Sequence, residues 1–166
     1  MASVKELIAE FKMETANTRK ILERVPDGQN DWTPHEKSMK LSRLATHVAE
    51  IPSWTYVTVS TDTLDFAAGD YKPNVYETTE ERLKFFDEQV KQAIEVLEKT
   101  SDEDLEASWT MRNGETVYFT VPKKVALRTW VYNHQYHHRA QLGVYLRLLG
   151  IPVPAVYGPT ADESSM

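Results

Sequence analysis

The chain contains no cysteine among its 166 residues. Disulfides, thiolate nucleophiles and thiolate metal ligands are therefore excluded, and any metal site must be built from histidine, aspartate, glutamate or water. Long apolar runs are also absent, since no stretch approaches the ~18 residues that a membrane-spanning helix needs. The N-terminal segment MASVKELIAEFKME is charged throughout and lacks the apolar centre of a signal peptide. We therefore expect a soluble, cytoplasmic protein with no membrane partner.

The chain has fewer positively than negatively charged residues, with 19 lysine and arginine residues, 25 aspartate and glutamate residues and a formal net charge of -6. A nucleic-acid-binding surface needs clustered cations, so nucleic acid is not an expected partner. The remaining composition, 41% apolar and 27% charged, is typical of globular proteins. A chain of this length buries about two thirds of its unfolded surface and needs no metal to fold. We expect one domain over residues 1–166.

Apolar side chains recur at three- and four-residue steps in four tracts, which predicts four amphipathic helices. The tracts are residues 4–25, 41–54, 78–97 and 123–149. Pro52 predicts a kink in the second helix, because proline cannot donate the helical hydrogen bond. Thr78 and Glu81 have the spacing of a capping box at the start of the third. Gly150 suits the left-handed position that follows the end of the fourth.

A β-hairpin is predicted between the third and fourth helices. In SWTMRNGETVYFTVP, Asn113-Gly114 separates two runs of alternating side chains, which is a strong short-range hairpin signal. Four helices with one apolar side each predict an all-α four-helix bundle that carries this small hairpin. The loop between helices two and three is long enough to cross one end of the bundle, so a simple up-down order is not assumed.

Three histidines occupy inward positions on two of the predicted helices. His134 and His138 are four residues apart, so their side chains project from one face of helix four about one turn apart. His47 shares the apolar stripe of helix two with Leu44 and Ile51. Three neutral imidazoles that face inward can converge on one divalent ion and leave coordination positions for water or substrate, as in catalytic metal sites. The alternative is three separate core histidines, each satisfied by a hydrogen bond.

Helix four carries a second apolar line on a different face. It consists of Trp130, His137, Ala140, Val144 and Leu148. A lone bundle has difficulty covering such a line, so we expect a two-fold homodimer with this helix near the contact. By the same helical geometry, His137 points away from the other two histidines and is not expected to be a ligand.

Several other polar residues have structural interpretations. Glu50 lies three residues after His47 and has the spacing to orient that imidazole, but we expect an exposed carboxylate. Tyr145 is expected to pack in the interior. Arg139 and Gln141 are expected to fix helix contacts or the C-terminal tail. The four tryptophans are expected to anchor the core or an interface, because the acidic balance argues against a base-stacking platform.

The segments KSMKLSRLATHVAEIPSW, WVYNHQYHHRAQLGVYLRLLGIPVP and VYGPTADE resemble the DinB/YfiT-like superfamily of small metal-binding helical bundles. The resemblance spans nearly the whole chain. It implies one divalent ion held by one histidine of helix two and two of helix four, which here are His47, His134 and His138. His137 matches a further histidine of the HHR stretch that is not usually a ligand. Ala140 stands where glycine is frequent, a change between small residues.

Characterised members of that superfamily include metal-dependent transferases and an isomerase that use thiols such as bacillithiol or mycothiol. The resemblance therefore implies a metal-dependent S-transferase, or a hydrolase-like metalloenzyme, with a small-molecule substrate. Three neutral ligands leave the full double charge on the ion, which lowers the pKa of bound water toward ~7 for zinc and would stabilise a bound thiolate. Zinc or nickel is the expected ion, with iron and manganese chemically admissible.

Two further functions fit the same residues. One is a metal-binding or stress-associated dimeric protein without catalysis, and the other is a structural dimer whose histidines no longer bind metal. The sequence assigns no catalytic residue and no residue that binds an organic cofactor.

Overall fold

The computed structural model describes residues 3–69 and 72–164. Its helices are α1 (Val4–Leu22), α2 (Leu41–Glu50), α3 (Ser53–Ser60), α4 (Thr79–Leu97), α5 (Lys123–Ala126) and α6 (His134–Leu148). Its strands are β1 (Thr63–Asp65), β2 (Ser108–Asn113) and β3 (Thr116–Pro122). A π-helical segment, Leu127–Asn133, joins α5 to α6 in one continuous helix. No helix of the described residues is long and apolar enough to cross a membrane.

Local sequence signals set the ends of the long helices. The Ser3 hydroxyl accepts a hydrogen bond from the Glu6 amide, and the Glu6 carboxylate accepts one from the Ser3 amide. The same reciprocal pair joins Thr78 and Glu81 at the start of α4, which confirms the predicted capping box. Gly150 follows the end of α6 with a φ of 72°, the left-handed conformation that glycine adopts without steric cost.

The simple four-helix description is not confirmed. The second tract is two helices, because Pro52 cannot donate a backbone hydrogen bond; α2 ends at Glu50 and α3 begins at Ser53. The fourth tract changes from α to π geometry between its two ends. The structure also contains a three-stranded sheet rather than an isolated hairpin, so the predicted all-α class is incomplete.

The sheet has the strand order β1-β2-β3. Strands β2 and β3 form the predicted antiparallel hairpin, with Asn113 opposite Thr116. The two-residue loop is Gly114-Glu115, one residue later than the predicted Asn113-Gly114, because Asn113 ends β2. Gly114 has a positive φ of 57°, which suits glycine at the first central position of such a loop. Strand β1 pairs in parallel with β2, so that Leu64 lies opposite Met111. Strand β1 has only three residues, too few for an alternating pattern to be recognised, which is why the sequence did not predict this strand.

Two apolar clusters hold the helices together. One joins α1, α2, α4 and α6 and includes Leu44, Phe86 and Leu142. The other joins α1, α4 and the π-segment and includes Phe11 and Leu97. Because α2 packs against α6, the second and fourth tracts lie side by side and their inward polar residues meet. Helices α1 and α4 complete the core without contributing to that meeting point.

Candidate metal centre

His47 on α2 meets His134 and His138 on α6 in one cluster. One nitrogen of each ring can be chosen so that the three atoms lie within 4.8 Å of one another. The Nε2 atoms of His47 and His134 are 3.2 Å apart. Two nitrogens that bind one tetrahedral ion at ~2.0–2.1 Å each lie about 3.3 Å apart, so this spacing is that of a ligand pair. The structure thus brings together the three histidines that the sequence singled out.

The outer nitrogens of two of these rings are held by protein oxygens. The Nδ1 atom of His47 lies 2.6 Å from Oε1 of Glu50. The Nδ1 atom of His138 lies 2.7 Å from Oε1 of Gln141. A carboxylate or amide oxygen only accepts, so each of these imidazoles carries a proton on Nδ1, and Nε2 is the nitrogen whose lone pair is available in the neutral ring. A metal ion on Nε2 requires this tautomer, and an oxygen partner of this kind typically orients histidine ligands.

Glu50 is buried, with 4% of its surface exposed, and the expectation of a solvent-exposed carboxylate is wrong. Its Oε1 atom also accepts a hydrogen bond of 2.8 Å from Nη2 of Arg43. Burial raises the pKa of Glu50, but the hydrogen bonds from His47 and Arg43 outweigh that effect and hold the pKa below its usual value. Residues 43, 47 and 50 are spaced by four and three, which places them on one helix face. This spacing is the sequence signal from which the contact of Arg43 and His47 with Glu50 could have been predicted.

The π-segment determines what surrounds His134. Because a π-helical turn holds more residues than an α-helical turn, Trp130 faces a different direction from the one that α-helical spacing from α6 would give it. Such segments are frequent at functional sites. The ring of Trp130 stacks on that of Trp54, with centroids 4.7 Å apart, and lies 5.3 Å from the ring of His134. His134 also makes a hydrogen bond to the backbone of Trp130. Trp130 therefore belongs to the wall of the histidine cluster and not to the second apolar line of the helix.

Burial keeps two of the three rings, those of His134 and His138, neutral at physiological pH. Burial, followed by repulsion from His138 and His47, lowers the pKa of His134 to about 4. Burial likewise lowers the pKa of His138 to about 4, although the hydrogen bond to Gln141 acts in the opposite direction. A neutral imidazole offers a lone pair to a cation, whereas an imidazolium does not. Both side chains are thus in the protonation state that metal binding needs.

A cavity of about 590 Å³ opens beside His47 and His134. Roughly 300–1,000 Å³ is the usual range for a small-molecule site, so this cavity has room for a substrate. Its other lining residues are Arg43, Ser53, Trp54, Val57, Leu64, Asp65, Phe66, Gly69 and Trp130. One wall comes from β1 and the short helical turn Phe66–Ala68, which the sequence did not predict. The histidine cluster is therefore accessible from one side.

Residues 1–165 match the sequence model of the DinB family. The chain belongs to the DinB family. A DinB-like protein from Bacillus cereus ATCC 10987 has the same fold, with a TM-score of 0.70, 22% identity, and coverage of 93% of this chain and 98% of that chain. A DinB-like protein from Bacillus subtilis, YjoA, has a TM-score of 0.69, 15% identity, and coverage of 97% and 99% respectively. No curated protein matches the chain. Identities this low show a shared fold and leave the activity to be argued from the site.

Four further residues of the sequence motifs in this DinB-family chain can now be compared with what the sequence predicted. His137 is exposed and lies outside the group of three histidines. Tyr145 packs in the interior as predicted, and its hydroxyl donates to a backbone carbonyl. Arg139 forms a buried ion pair of 2.7 Å with Glu14 and contacts the C-terminal tail, as expected. Gln141 differs from expectation, because it holds an imidazole of the cluster.

Proposed function

We propose that this DinB-family protein binds one divalent metal ion through Nε2 of His47, His134 and His138. We propose further that the loaded site is a metal-dependent S-transferase that acts with a low-molecular-weight thiol on a small-molecule electrophile. The observation that carries the proposal is the convergence of three imidazoles at the edge of a cavity of about 590 Å³. A three-ligand site leaves a coordination position for an exchangeable group, as catalytic metal sites do.

The residues fit such an ion by donor type and by orientation. Three imidazole nitrogens suit zinc or nickel best, and iron and manganese are chemically admissible. Glu50 and Gln141 fix the tautomers of two of the rings. When bound, the ion would supply a Lewis acid that lowers the pKa of a ligated thiol or water. The protein's own contribution is to hold the rings, exclude water on the side of Trp54 and Trp130, and seat the electrophile.

The available carboxylates favour thiol transfer over a hydrolase-like reaction. Asp65 lines the cavity, but its oxygens accept hydrogen bonds from the amides of Ala67 and Gly114 and from the guanidinium of Arg112. Glu50 holds His47 and Arg43. Both carboxylates thus have structural tasks that conflict with accepting a proton from water. A thiol whose pKa falls on the ion needs no such base.

Two measurements on the purified full chain test this function. Elemental analysis of protein purified without chelator should give close to one divalent ion per chain. The loaded protein should accelerate the reaction of bacillithiol, mycothiol or glutathione with chlorodinitrobenzene. In that reaction sulfur bonds to the ring carbon, chloride leaves with its electron pair, and the thiol proton passes to solvent. Chelator should remove the acceleration, and restoring the ion should return it.

The outcomes separate the candidate functions. Protein that holds one ion per chain but accelerates no thiol reaction would favour the non-catalytic metal-binding function. Protein that takes up no zinc, nickel, iron or manganese at neutral pH would contradict the metal site itself and favour a structural role.

A further inference from the structure

The cavity beside the histidine cluster is apolar over most of its wall. Trp54, Val57, Leu64, Phe66 and Trp130 line it, with the two indole rings stacked on each other. Side chains of this kind bind the flat aromatic or aliphatic part of a ligand by excluding water from it. The body of the ligand is therefore apolar, and the few polar groups of the cavity decide what else the ligand carries.

Asp65 is the carboxylate that lines the cavity, and it is already paired with an arginine and two backbone amides. Asp65 accepts hydrogen bonds of 2.9 Å from the amides of Ala67 and Gly114, and one of 2.7 Å from Nε of Arg112. These bonds fasten the cavity wall to the hairpin turn, so Asp65 cannot turn toward a ligand without losing them. A cationic ligand thus finds no free counter-charge there.

Arg43 is the basic group of the cavity, and its donors are only partly used. Its Nη2 atom donates to Glu50 at 2.8 Å. Its Nη1 atom is shielded from solvent and has no hydrogen-bond partner within residues 3–69 and 72–164. The side chain as a whole is 24% exposed and lines the cavity. A shielded N–H group without an acceptor is unfavourable, so an acceptor that enters the cavity would relieve that cost.

We propose that Arg43 binds the carboxylate of an apolar organic acid whose body lies against Trp54 and Trp130. In this proposal Nη2 stays with Glu50, and the guanidinium turns so that Nη1 leaves its shielded position and meets the incoming oxygen. Guanidinium groups present several donors in a plane, which suits a carboxylate better than a neutral group. The inference rests on the proposed function in one respect, that this cavity is the substrate site; it does not require the ion to take part in binding the acid.

Calorimetric titration with two matched probes tests the proposal on the full chain. The probes are naphthoate and its neutral analogue naphthamide, and the protein is treated with chelator so that no ion can bind the carboxylate. Wild type should bind naphthoate about 10-fold more tightly than naphthamide, the size expected for a hydrogen bond to a charged group. Arg43→Gln should remove this preference and leave the affinity for naphthamide within about two-fold. Arg43→Lys, which keeps the charge, should retain part of it.

Two control variants separate the charge from the apolar wall. Arg24→Gln removes another arginine that pairs with one glutamate, Glu163, on the surface, and should change neither affinity. Phe66→Ala should weaken both probes equally. Equal affinities of wild type for the two probes, binding of neither probe, or an equal loss of both in Arg43→Gln would overturn the proposal. Circular dichroism confirms that each variant is folded.

Metal analysis, the thiol-transfer assay and the probe titrations on the same wild-type protein distinguish a failure of this inference from a failure of the proposed function. Wild type that takes up no ion but still prefers naphthoate would contradict the metal site and leave the role of Arg43 standing. Wild type that binds one ion and catalyses thiol transfer, but shows no preference for naphthoate, would contradict the role of Arg43 alone.

Discussion

At the residue scale, the cluster is defined by which nitrogen each ring turns inward. His47 and His138 have their Nδ1 atoms occupied by Glu50 and Gln141, so both present Nε2 to the centre. His137 is a direct neighbour of His138 in the chain and is exposed. Two adjacent histidines of one helix therefore have different surroundings, one in the cluster and one exposed, because successive helical side chains point about 100° apart.

The ligand set predicts how metal content responds to single substitutions. His47→Ala, His134→Ala and His138→Ala should each lower the metal content well below one ion per chain after dialysis, because two imidazoles remain. His137→Ala is the matched control and should retain close to one ion. Elemental analysis measures the outcome. A loss in His137→Ala as large as in the other three variants would mean that the assigned ligand set is wrong.

Glu50 should tune metal affinity without being a ligand. Glu50→Gln keeps an oxygen near Nδ1 of His47 but removes the negative charge that orients and polarises the ring. We expect metal affinity to fall roughly 10- to 100-fold while the bound stoichiometry stays at one, as for other groups that hold a histidine ligand. Competition with a chromogenic chelator measures the affinity. Glu98→Gln, at an exposed carboxylate that pairs with Lys12 of α1, should leave the affinity unchanged.

The lowered pKa values of His134 and His138 predict a pH dependence of the metal-free protein. Both have a pKa of about 4 in the fold, against ~6.5 in the unfolded chain, so only the unfolded chain takes up these protons between the two values. The free energy of unfolding should therefore fall as pH decreases from 7 to 5, by on the order of 1 kcal/mol for each histidine. Urea unfolding in chelator at the two pH values measures it.

Variants assign that pH dependence to the cluster. The double variant His134→Gln and His138→Gln should lose most of the difference in stability between pH 7 and pH 5. His137→Gln, at an exposed position of the same helix, should keep it. An unchanged difference in the double variant would show that other groups cause the effect.

At the element scale, the three clustered histidines come from α2 and α6, while α4 contributes to the core and supplies none of them. Helix α4 begins with the capping pair Thr78 and Glu81 and packs against α1, α2 and α3. In the continuous helix that carries His134 and His138, the π-segment ends at Asn133, directly before His134. Helices α2 and α6 serve both the core and the cluster, whereas α4 supplies no histidine, so a change in α4 can test stability separately from the site.

Removal of the α4 cap should destabilise the fold without emptying the site. Thr78→Ala deletes the hydroxyl that accepts from the Glu81 amide, which costs about 1 kcal/mol at a typical N-cap. Metal content at neutral pH should remain that of wild type, because α4 contributes no ligand. Urea unfolding and elemental analysis together check both parts. Thr116→Ala, at an exposed strand position, is the control and should change neither quantity appreciably.

At the scale of the whole molecule, α6 presents an apolar surface that the described chain does not cover. Val144 is 58% exposed and Leu148 is 59% exposed, and Ala140 lies exposed on the same helix. Since Trp130 packs inward, this surface is shorter than the sequence predicted. It remains a candidate contact between two copies of the chain, because a two-fold contact is the commonest way to bury such a surface.

We therefore propose a homodimer in which α6 meets its symmetry mate. Wild type should have twice the mass of the chain in light scattering at micromolar concentration. Leu148→Lys should shift the protein to the monomer, because a charge would be buried in the contact. Val117→Lys changes an equally exposed apolar residue on β3 and should leave the dimer intact. A monomeric wild type would contradict the proposal.

Local patterns in the sequence determined most of the elements. The cap at Thr78 depends on the hydrogen bonds of a few neighbouring residues, so a short motif predicted it. Short motifs also indicated a change at Pro52 and a hairpin at Gly114, although Pro52 separates two helices rather than kinking one and the loop lies one residue later than predicted. The inward positions of His47 and His134 followed from helical periodicity, and the DinB resemblance followed from motifs along the chain. Each of these features can be read from residues that are close in sequence.

Tertiary structure decided what surrounds those elements. Strand β1 exists because it pairs with β2 more than 40 residues later, and its three residues are too few to predict a strand by themselves. Glu50 is buried because α2 packs against α6, and Trp130 faces the cluster because the π-segment changes the phase of its helix. The cavity likewise forms only where β1, α3 and the histidine helices meet. Burial and cavities depend on which distant segments pack together, and periodicity within one segment does not contain that information.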